Sequence, residues 1–318
     1  MKLVVLEGVP LNTGDLSWDA LSALGELTVY DRTAPEQIVE RAKDAQALFV
    51  NKSILTREIL YALPNLKYIG LFSTGFNVVD LAAAKELGLV VTNIPAYSTY
   101  AVTQMVFALL LELTNQVSRH SEAVRSGAWS DSKDFCFWLT PLTELTGKTM
   151  GIIGMGQTGQ QTARVALAMG MQVVAYSPRK KELDFSGVRW ADRDTVLKEA
   201  DVLCLHCPLN EETTGLINRE TLALMKPGSY LINTSRGPVV NEEDLAQALN
   251  SGHLAGAGVD VLQKEPPKPD NPLFTAKNCV ITPHIAWAAH ETRARLYQVA
   301  IENYKAYLNG NPVNNVVK

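Results

Sequence analysis

An arginine, a glutamate and a histidine each follow a short run with an apolar core in the second half of this chain. Arg236 ends SYLINTSR, Glu265 follows VDVLQK, and His284 follows NCVITP. Apolar runs of this length, bounded by glycine or proline, read as buried strands of a parallel sheet. Ligands of open α/β sheets collect outside the carboxyl ends of such strands. The spacing therefore predicts one crevice shared by a guanidinium, a carboxylate and an imidazole. A guanidinium grips a carboxylate through a rigid two-pronged fork. An imidazole can give up a proton near neutrality, and a carboxylate bonded to it fixes the ring and favours its protonated form. With a nicotinamide beside them, these are the groups that reduction of a 2-oxo acid requires. Taken singly, the arginine could cap a turn, the glutamate could be a solvated loop residue and the histidine a core residue. The three in series, downstream of a nucleotide loop, carry the functional reading.

That loop is GMGQTG, in which Gly154, Gly156 and Gly159 form G-x-G-x-x-G. It follows a predicted strand, Thr149 to Ile153, and opens a predicted helix from about Gln157 to Met169. This context gives the motif its specificity. Gly154 permits a tight turn, Gly156 lets the backbone approach a pyrophosphate, and Gly159 lets the helix pack on the strand. The free N–H groups at the helix start, at Gln157 and Thr158, would meet the phosphates. The next strand, QVVAY, runs into Ser177 rather than an acidic residue, and Arg179 and Lys180 follow. A carboxylate there would bind a ribose 2′-OH and repel a 2′-phosphate, whereas Ser177 and Arg179 suit the phosphate. The expected cofactor is accordingly NADP(H) rather than NAD(H). The alternative is that the basic run is a solvated loop and NAD(H) binds without the acidic anchor.

The elements that must position these residues alternate between strand and helix along the whole chain, which predicts α/β architecture with parallel sheets. KLVVL, LTVY, ALFV, KYIGLFS and LVVTN read as five strands, with helices expected at Leu16–Leu24 and Asp80–Leu87. One long helix is expected from about Thr99 to Arg125. Six further strands follow: TMGII, QVVAY, VLCLH, SYLIN, AGVDV and CVITP. A last helix, Ala288 to Leu308, is expected to return to the first domain. The predicted fold is two Rossmann-like domains: a dinucleotide-binding domain at 98–287 inserted into a flavodoxin-like substrate domain at 1–97 and 288–318.

Composition narrows the functional classes. The 318 residues carry a net charge of -4, which gives no reason to expect nucleic acid or an anionic membrane as partner. Charged residues make up 19% and hydrophobic ones 47%, against a largely disordered chain. Neither the short apolar start nor AVTQMVFALLLELT reaches the length of a signal or membrane span, so a soluble cytoplasmic protein is expected. Cys204 and Cys207 form C-x-x-C but sit on a predicted strand whose two-residue period sends them to opposite faces. No second such pair exists to complete a zinc site, and His284 and His290 lack the spacing of a metal motif. No metal is expected. His206 reads as a wall of the cofactor crevice, His120 as a helix-surface residue and His253 as a loop residue.

Over essentially its whole length the chain resembles the D-isomer-specific 2-hydroxyacid dehydrogenases. The resemblance rests on GMGQTG, HCPLNEETTGLIN, MKPGSYLINTSRGPVVNEEDLAQAL, GAGVDVLQKEP and ITPHIAW. It implies that Arg236, Glu265 and His284 are catalytic and that Asp260 helps hold the nicotinamide carboxamide. It also implies that Thr234 and Ser235 lie beside that group and that His206, Cys207, Pro208 and Thr213 line the cofactor pocket. In LFSTGFNVVD it implies that the backbone of Ser73, Thr74 and Gly75 clamps the substrate carboxylate, with Asn51 and Lys52 facing the same cleft. The family's domains close over the ligand by hinge motion. Within the family, DFCFW (Asp134–Trp138) and HIAW resemble the glycerate dehydrogenase or hydroxypyruvate reductase branch, with Trp287 as a substrate-side residue. The implied reaction is reduction of a small 2-oxo acid, hydroxypyruvate or glyoxylate, by a homodimer. A D-lactate-type dehydrogenase and a nucleotide-sensing corepressor-like protein are the competing readings.

Overall fold

The computed structural model describes residues 1–317. The chain divides into two compact units: Met1–Ser98 with the segment from Trp287 onward, and Thr99–Ala286. Trp287, expected at the end of the inserted domain, belongs to the first unit.

The first unit is built on strands β1 (Lys2–Val5), β2 (Glu26–Val29), β3 (Ala47–Val50), β4 (Tyr68–Leu71) and β5 (Val90–Thr92). Helices α1 (Asp19–Ser22), α2 (Ile38–Ala42), α3 (Arg57–Tyr61) and α4 (Leu81–Glu86) connect them. All strands pair in parallel in the order β2-β1-β3-β4-β5, the flavodoxin-like order. The residues of β3 and β4 are buried throughout, as a sheet covered on both faces requires. The helix expected over Leu16–Leu24 shrinks to α1. Asn12 accounts for the shortfall: its side chain accepts from the N–H groups of Gly14 and Leu16 and donates to the Leu16 carbonyl, winding the chain into a loop before Ser17.

The second unit begins with α5 (Thr99–Asn115) and α6 (Val117–Arg125). The single long helix expected here is broken at Gln116, which takes the left-handed conformation with φ 47°. The Glu112 carboxylate accepts from the Ser118 N–H and hydroxyl and so steadies the restart. Strands β6 (Thr149–Ile153), β7 (Gln172–Tyr176), β8 (Val188–Trp190), β9 (Val202–Leu205), β10 (Ser229–Asn233), β11 (Leu254–Val259) and β12 (Cys279–Ile281) form one parallel sheet. Its order is β12-β11-β10-β9-β6-β7-β8, with α7 (Gln157–Ala168), α8 (Arg193–Glu199), α9 (Arg219–Leu224) and α10 (Glu242–Asn250) as crossovers. Counted from β6, this is the Rossmann order with one more strand at the β12 edge.

Seven strands replace the six expected. The missed one is β8, three residues at the sheet edge with no fully buried position, so it lacks an apolar run. Cys204 and Cys207 are free thiols packed in different core clusters, on either side of this sheet. The last helix, α11 (His290–Leu308), packs Leu296, Ala300, Ile301 and Tyr304 into the core of the first unit. Among the described residues, no helix is long and apolar enough to cross a membrane.

Candidate active site

Strand register fixes where the chemistry gathers. Ile153 pairs with Tyr176 and Leu205, Leu205 with Asn233, Asn233 with Val259, and Val259 with Ile281. The residues one step further on are Gly154, Ser177, His206, Thr234, Asp260 and Thr282. All therefore leave the sheet at one edge, its carboxyl end.

At the centre of that edge Gly154 has φ +103°, and a side chain there would strike the Cys207 N–H and the His206 carbonyl carbon at 2.5 Å. A Cβ on Gly159 would collide with the Gly154 carbonyl, so α7 can rest on the strand only with glycine there. Gly156 is different: a Cβ built on it meets nothing within 4 Å, leaving open space beside the N-cap of α7. The N–H groups of Gln157 and Thr158 open the helix with no acceptor inside it. Two glycines required by packing and one facing open space at a helix start fit a pyrophosphate. Beyond β7, Ser177 is half-buried, while Arg179 and Lys180 are exposed. Desolvation pushes the imidazole of the half-buried His206 down to about 4, and its Nε2 has no hydrogen-bond partner among the described residues. Desolvation raises the Cys207 thiol to about 11, which leaves it inert as a nucleophile. Pro208 and Thr213 shape the following turn, where the Thr213 hydroxyl donates to the Pro208 carbonyl at 2.6 Å. The buried Thr234 hydroxyl is unpartnered, and the Ser235 hydroxyl donates to Asn233 Oδ1 at 2.8 Å.

The three proposed catalytic residues belong to adjoining segments. Gly237 lies so close to the Leu262 carbonyl that any side chain would clash, which seats the Arg236 turn against the loop after β11. Arg236 is exposed and extended, and its Nη1 donates to the neighbouring Ser235 carbonyl at 2.7 Å. Its exposed guanidinium faces solvent, where an anion can reach it. Glu265 Oε1 accepts from the Leu262 N–H at 3.2 Å, while Oε2 lies 2.6 Å from His284 Nδ1. This short contact joins side chains that are 28% and 34% exposed. It leaves His284 Nε2 as the free ring nitrogen.

Two features that hold this pair were not legible beforehand. His284 has φ 55°, a left-handed conformation unusual for a residue other than glycine. It is held there by Asp260, which is almost fully buried. The Asp260 carbonyl accepts from the His284 N–H at 2.8 Å. Its Oδ1 accepts from the Thr282 hydroxyl at 2.5 Å and the Ile285 N–H at 2.9 Å, and its Oδ2 from the Ala286 N–H at 2.9 Å. Asp260 is thus spent largely on the histidine loop. The second feature is Glu242, buried at the start of α10. It accepts from the Gln263 N–H at 2.6 Å and Asn271 Nδ2 at 2.8 Å, bracing both ends of the loop that carries Glu265. In sequence it is one of three acidic residues opening a helix, and nothing local marks it as the buried one.

Four substrate-side residues and Trp287 fall in the first unit. Lys52 is exposed after β3, and Trp287 is half-buried against a cluster containing Trp18 and Tyr297. At the end of β4 the Ser73 hydroxyl donates to the Gly75 carbonyl and the Thr74 hydroxyl to the Ile94 carbonyl. The N–H groups of Ser73, Thr74 and Gly75 donate to no protein acceptor among the described residues, which suits an anion.

The model of the D-isomer specific 2-hydroxyacid dehydrogenase NAD binding domain matches residues 107–286. A hydroxypyruvate reductase of Blautia hydrogenotrophica is 49% identical over 322 residues, covering 100% of both chains. Among solved structures, the TT0316 protein of Thermus thermophilus superposes with a TM-score of 0.88 at 38% identity, covering 100% of both chains. An acyclic imino acid reductase in complex with NADPH and D-Arg superposes with a TM-score of 0.87 at 30% identity, covering 99% of this chain and 100% of that one. A unit with Rossmann strand order, a unit with flavodoxin-like strand order, and a relative matched from end to end lead to one conclusion: the chain belongs to the D-isomer specific 2-hydroxyacid dehydrogenase family.

Proposed function

We propose that this protein reduces a small 2-oxo acid, hydroxypyruvate or glyoxylate, to the D-2-hydroxy acid and catalyses the reverse oxidation. The observation that carries the reading is the 2.6 Å contact of His284 Nδ1 with Glu265, on a sheet edge that also carries the exposed Arg236. A bound nicotinamide cofactor supplies the hydride. Arg236 binds the substrate carboxylate and polarises the carbonyl. His284 delivers a proton from Nε2 to the alkoxide oxygen as it forms. Glu265 accepts the Nδ1–H and orients the ring. The Ser73–Gly75 turn offers its N–H groups to the carboxylate. The hydroxypyruvate reductase relative supports hydroxypyruvate as substrate.

We assign the cofactor preference to NADP(H). Supporting it are Ser177 just after β7, the exposed cations Arg179 and Lys180, and NADPH in the imino acid reductase complex. We also assign a homodimer. Trp129, Phe135, Trp138, Leu139 and Leu142 lie exposed in one stretch of the second unit, with Phe135 89% exposed. Large apolar side chains left in solvent support a protein interface in this stretch. The test is a panel of 2-oxo acids followed at the nicotinamide absorbance with NADH and with NADPH. Turnover of hydroxypyruvate or glyoxylate with higher kcat/KM for NADPH is expected. No turnover of any 2-oxo acid would overturn the enzyme reading, and a clear NADH preference the cofactor reading. A monomeric mass by light scattering would contradict the dimer.

A further inference from the structure

The first sheet carries, at its own carboxyl edge, a carboxylate that the mechanism above does not use. Glu7 lies two residues beyond β1, and the Leu6 N–H donates to the Phe49 carbonyl at 3.1 Å, which sets Glu7 beside the end of β3. There the chain runs Asn51-Lys52-Ser53, three successive residues with no further strand to accept their N–H groups. Glu7 accepts all three. Asn51 N lies 2.9 Å from Oε2, Lys52 N lies 3.1 Å from Oε1, and Ser53 N donates to the same Oε1. Successive N–H groups that converge in this way form an anion-binding concavity, and here a side chain of the protein fills it.

The next strand is tied to the same point. Asn51 is 7% exposed, and its Nδ2 donates to the Phe72 carbonyl at 2.8 Å. The Phe72 N–H donates back to the Val50 carbonyl at 2.8 Å. Phe72 immediately precedes Ser73, Thr74 and Gly75.

We propose that Glu7 is a positioning residue for substrate binding: by gripping residues 51–53 it sets where Lys52 stands and, through Asn51 and Phe72, where the Ser73–Gly75 turn presents its N–H groups. The inference rests on the reading of that turn as the clamp for the substrate carboxylate. A carboxylate is needed because three donors must share one group. A glutamine has a single acceptor oxygen, and its amide would turn N–H toward N–H at one contact. The three donors also neutralise the face of a negative charge that would otherwise repel an anionic substrate.

The test compares wild type, Glu7→Gln and Glu7→Ala in steady-state kinetics with hydroxypyruvate and NADPH, with thermal unfolding measured alongside. Glu7→Gln is expected to raise KM for hydroxypyruvate about tenfold, the effect of losing one charge-assisted hydrogen bond. KM for NADPH and kcat stay within about twofold. Glu7→Ala empties the concavity, so added formate or acetate should lower its KM for hydroxypyruvate, with no such gain in wild type. A purely structural role would lower the unfolding temperature without separating the two KM values and without carboxylate rescue. An unchanged hydroxypyruvate KM in Glu7→Gln overturns the inference, as do parallel rises in both KM values with no rescue. Wild type inactive on every 2-oxo acid would instead overturn the underlying function, and this inference with it.

Discussion

Asp260→Asn separates two roles for one buried carboxylate. The resemblance assigns Asp260 to the nicotinamide carboxamide, whereas the hydrogen bonds commit it to the loop that carries His284. Its two oxygens accept from Thr282, Ile285 and Ala286 while its carbonyl holds the His284 N–H. Asparagine preserves the shape and keeps an acceptor for Thr282 and Ile285. Its amide then points N–H at the buried Ala286 N–H. Leaving that donor unsatisfied costs about 1–3 kcal/mol, and loss of charge assistance on the other two bonds adds about 1 kcal/mol. The sum is about 2–4 kcal/mol, or roughly 6–12 °C in the unfolding midpoint of a unit this size. The same loop holds His284 at φ 55°, so a displacement on the order of 1 Å should lower kcat about a hundredfold. Differential scanning calorimetry and steady-state kinetics read both effects. If Asp260→Asn keeps its unfolding temperature and kcat and only KM for the cofactor rises, the carboxylate serves the cofactor and the loop-anchor argument is refuted.

His284→Ala should lower kcat by about 10²–10⁴-fold, the usual worth of a positioned proton donor, and near-full activity would remove His284 from the mechanism. Glu265→Gln should lower kcat/KM about 10- to 100-fold through loss of one charge-assisted bond of 2.6 Å; a change under twofold would show that the contact is dispensable. Gly154→Ala places a methyl 2.5 Å from the Cys207 N–H at a φ of +103°, so the variant should lose cofactor affinity and stability together, measured by nicotinamide fluorescence titration and thermal melting. His206 gives a pH dependence of defined sign. Its folded value of about 4 lies below the ordinary 6.5, so between these values the unfolded chain binds a proton that the folded chain does not. Stability therefore falls as pH drops from 6.5 toward 4, by about 3 kcal/mol at the lower end. His206→Gln should flatten that decline in denaturant midpoints, and equal declines in both proteins would count against it.

Much of the fold was legible because its signals are local. All five strands of the first sheet announce themselves as apolar runs between breakers, and every one is found. The glycine loop was readable because backbone approach and a left-handed turn admit no other residue at Gly154 and Gly159. The placement of Arg236, Glu265 and His284 followed from strand order, since a parallel sheet sends every strand end to the same edge. The failures have a common cause. β8 is an edge strand of three residues with no buried position, so no apolar pattern marks it. The break at Gln116 and the shortened α1 follow from side chains of Glu112 and Asn12 that capture nearby backbone, and helix periodicity does not record which capture wins.

The same distinction runs through the site. Residues that touch substrate or cofactor must present particular chemistry at strand ends, and their types betray them. Those that hold them in place do not. Glu7, Glu242 and Asp260 are all carboxylates, but each is spent on backbone N–H groups of a neighbouring loop. Backbone donors are the same at every position, so no motif encodes which loop a carboxylate will serve. What the three share is location: each lies within two residues of a strand end or opens a helix beside one, where loop N–H groups have run out of strand partners. An unpaired donor there costs free energy whether or not a reaction takes place. The acids therefore meet a folding requirement first, and catalytic geometry is inherited from it. Substitutions at these acids should accordingly show linked effects on local stability and on KM or kcat, whereas substitutions at Arg236, whose side chain is exposed and donates to its neighbour's carbonyl, should alter kinetics and leave stability unchanged.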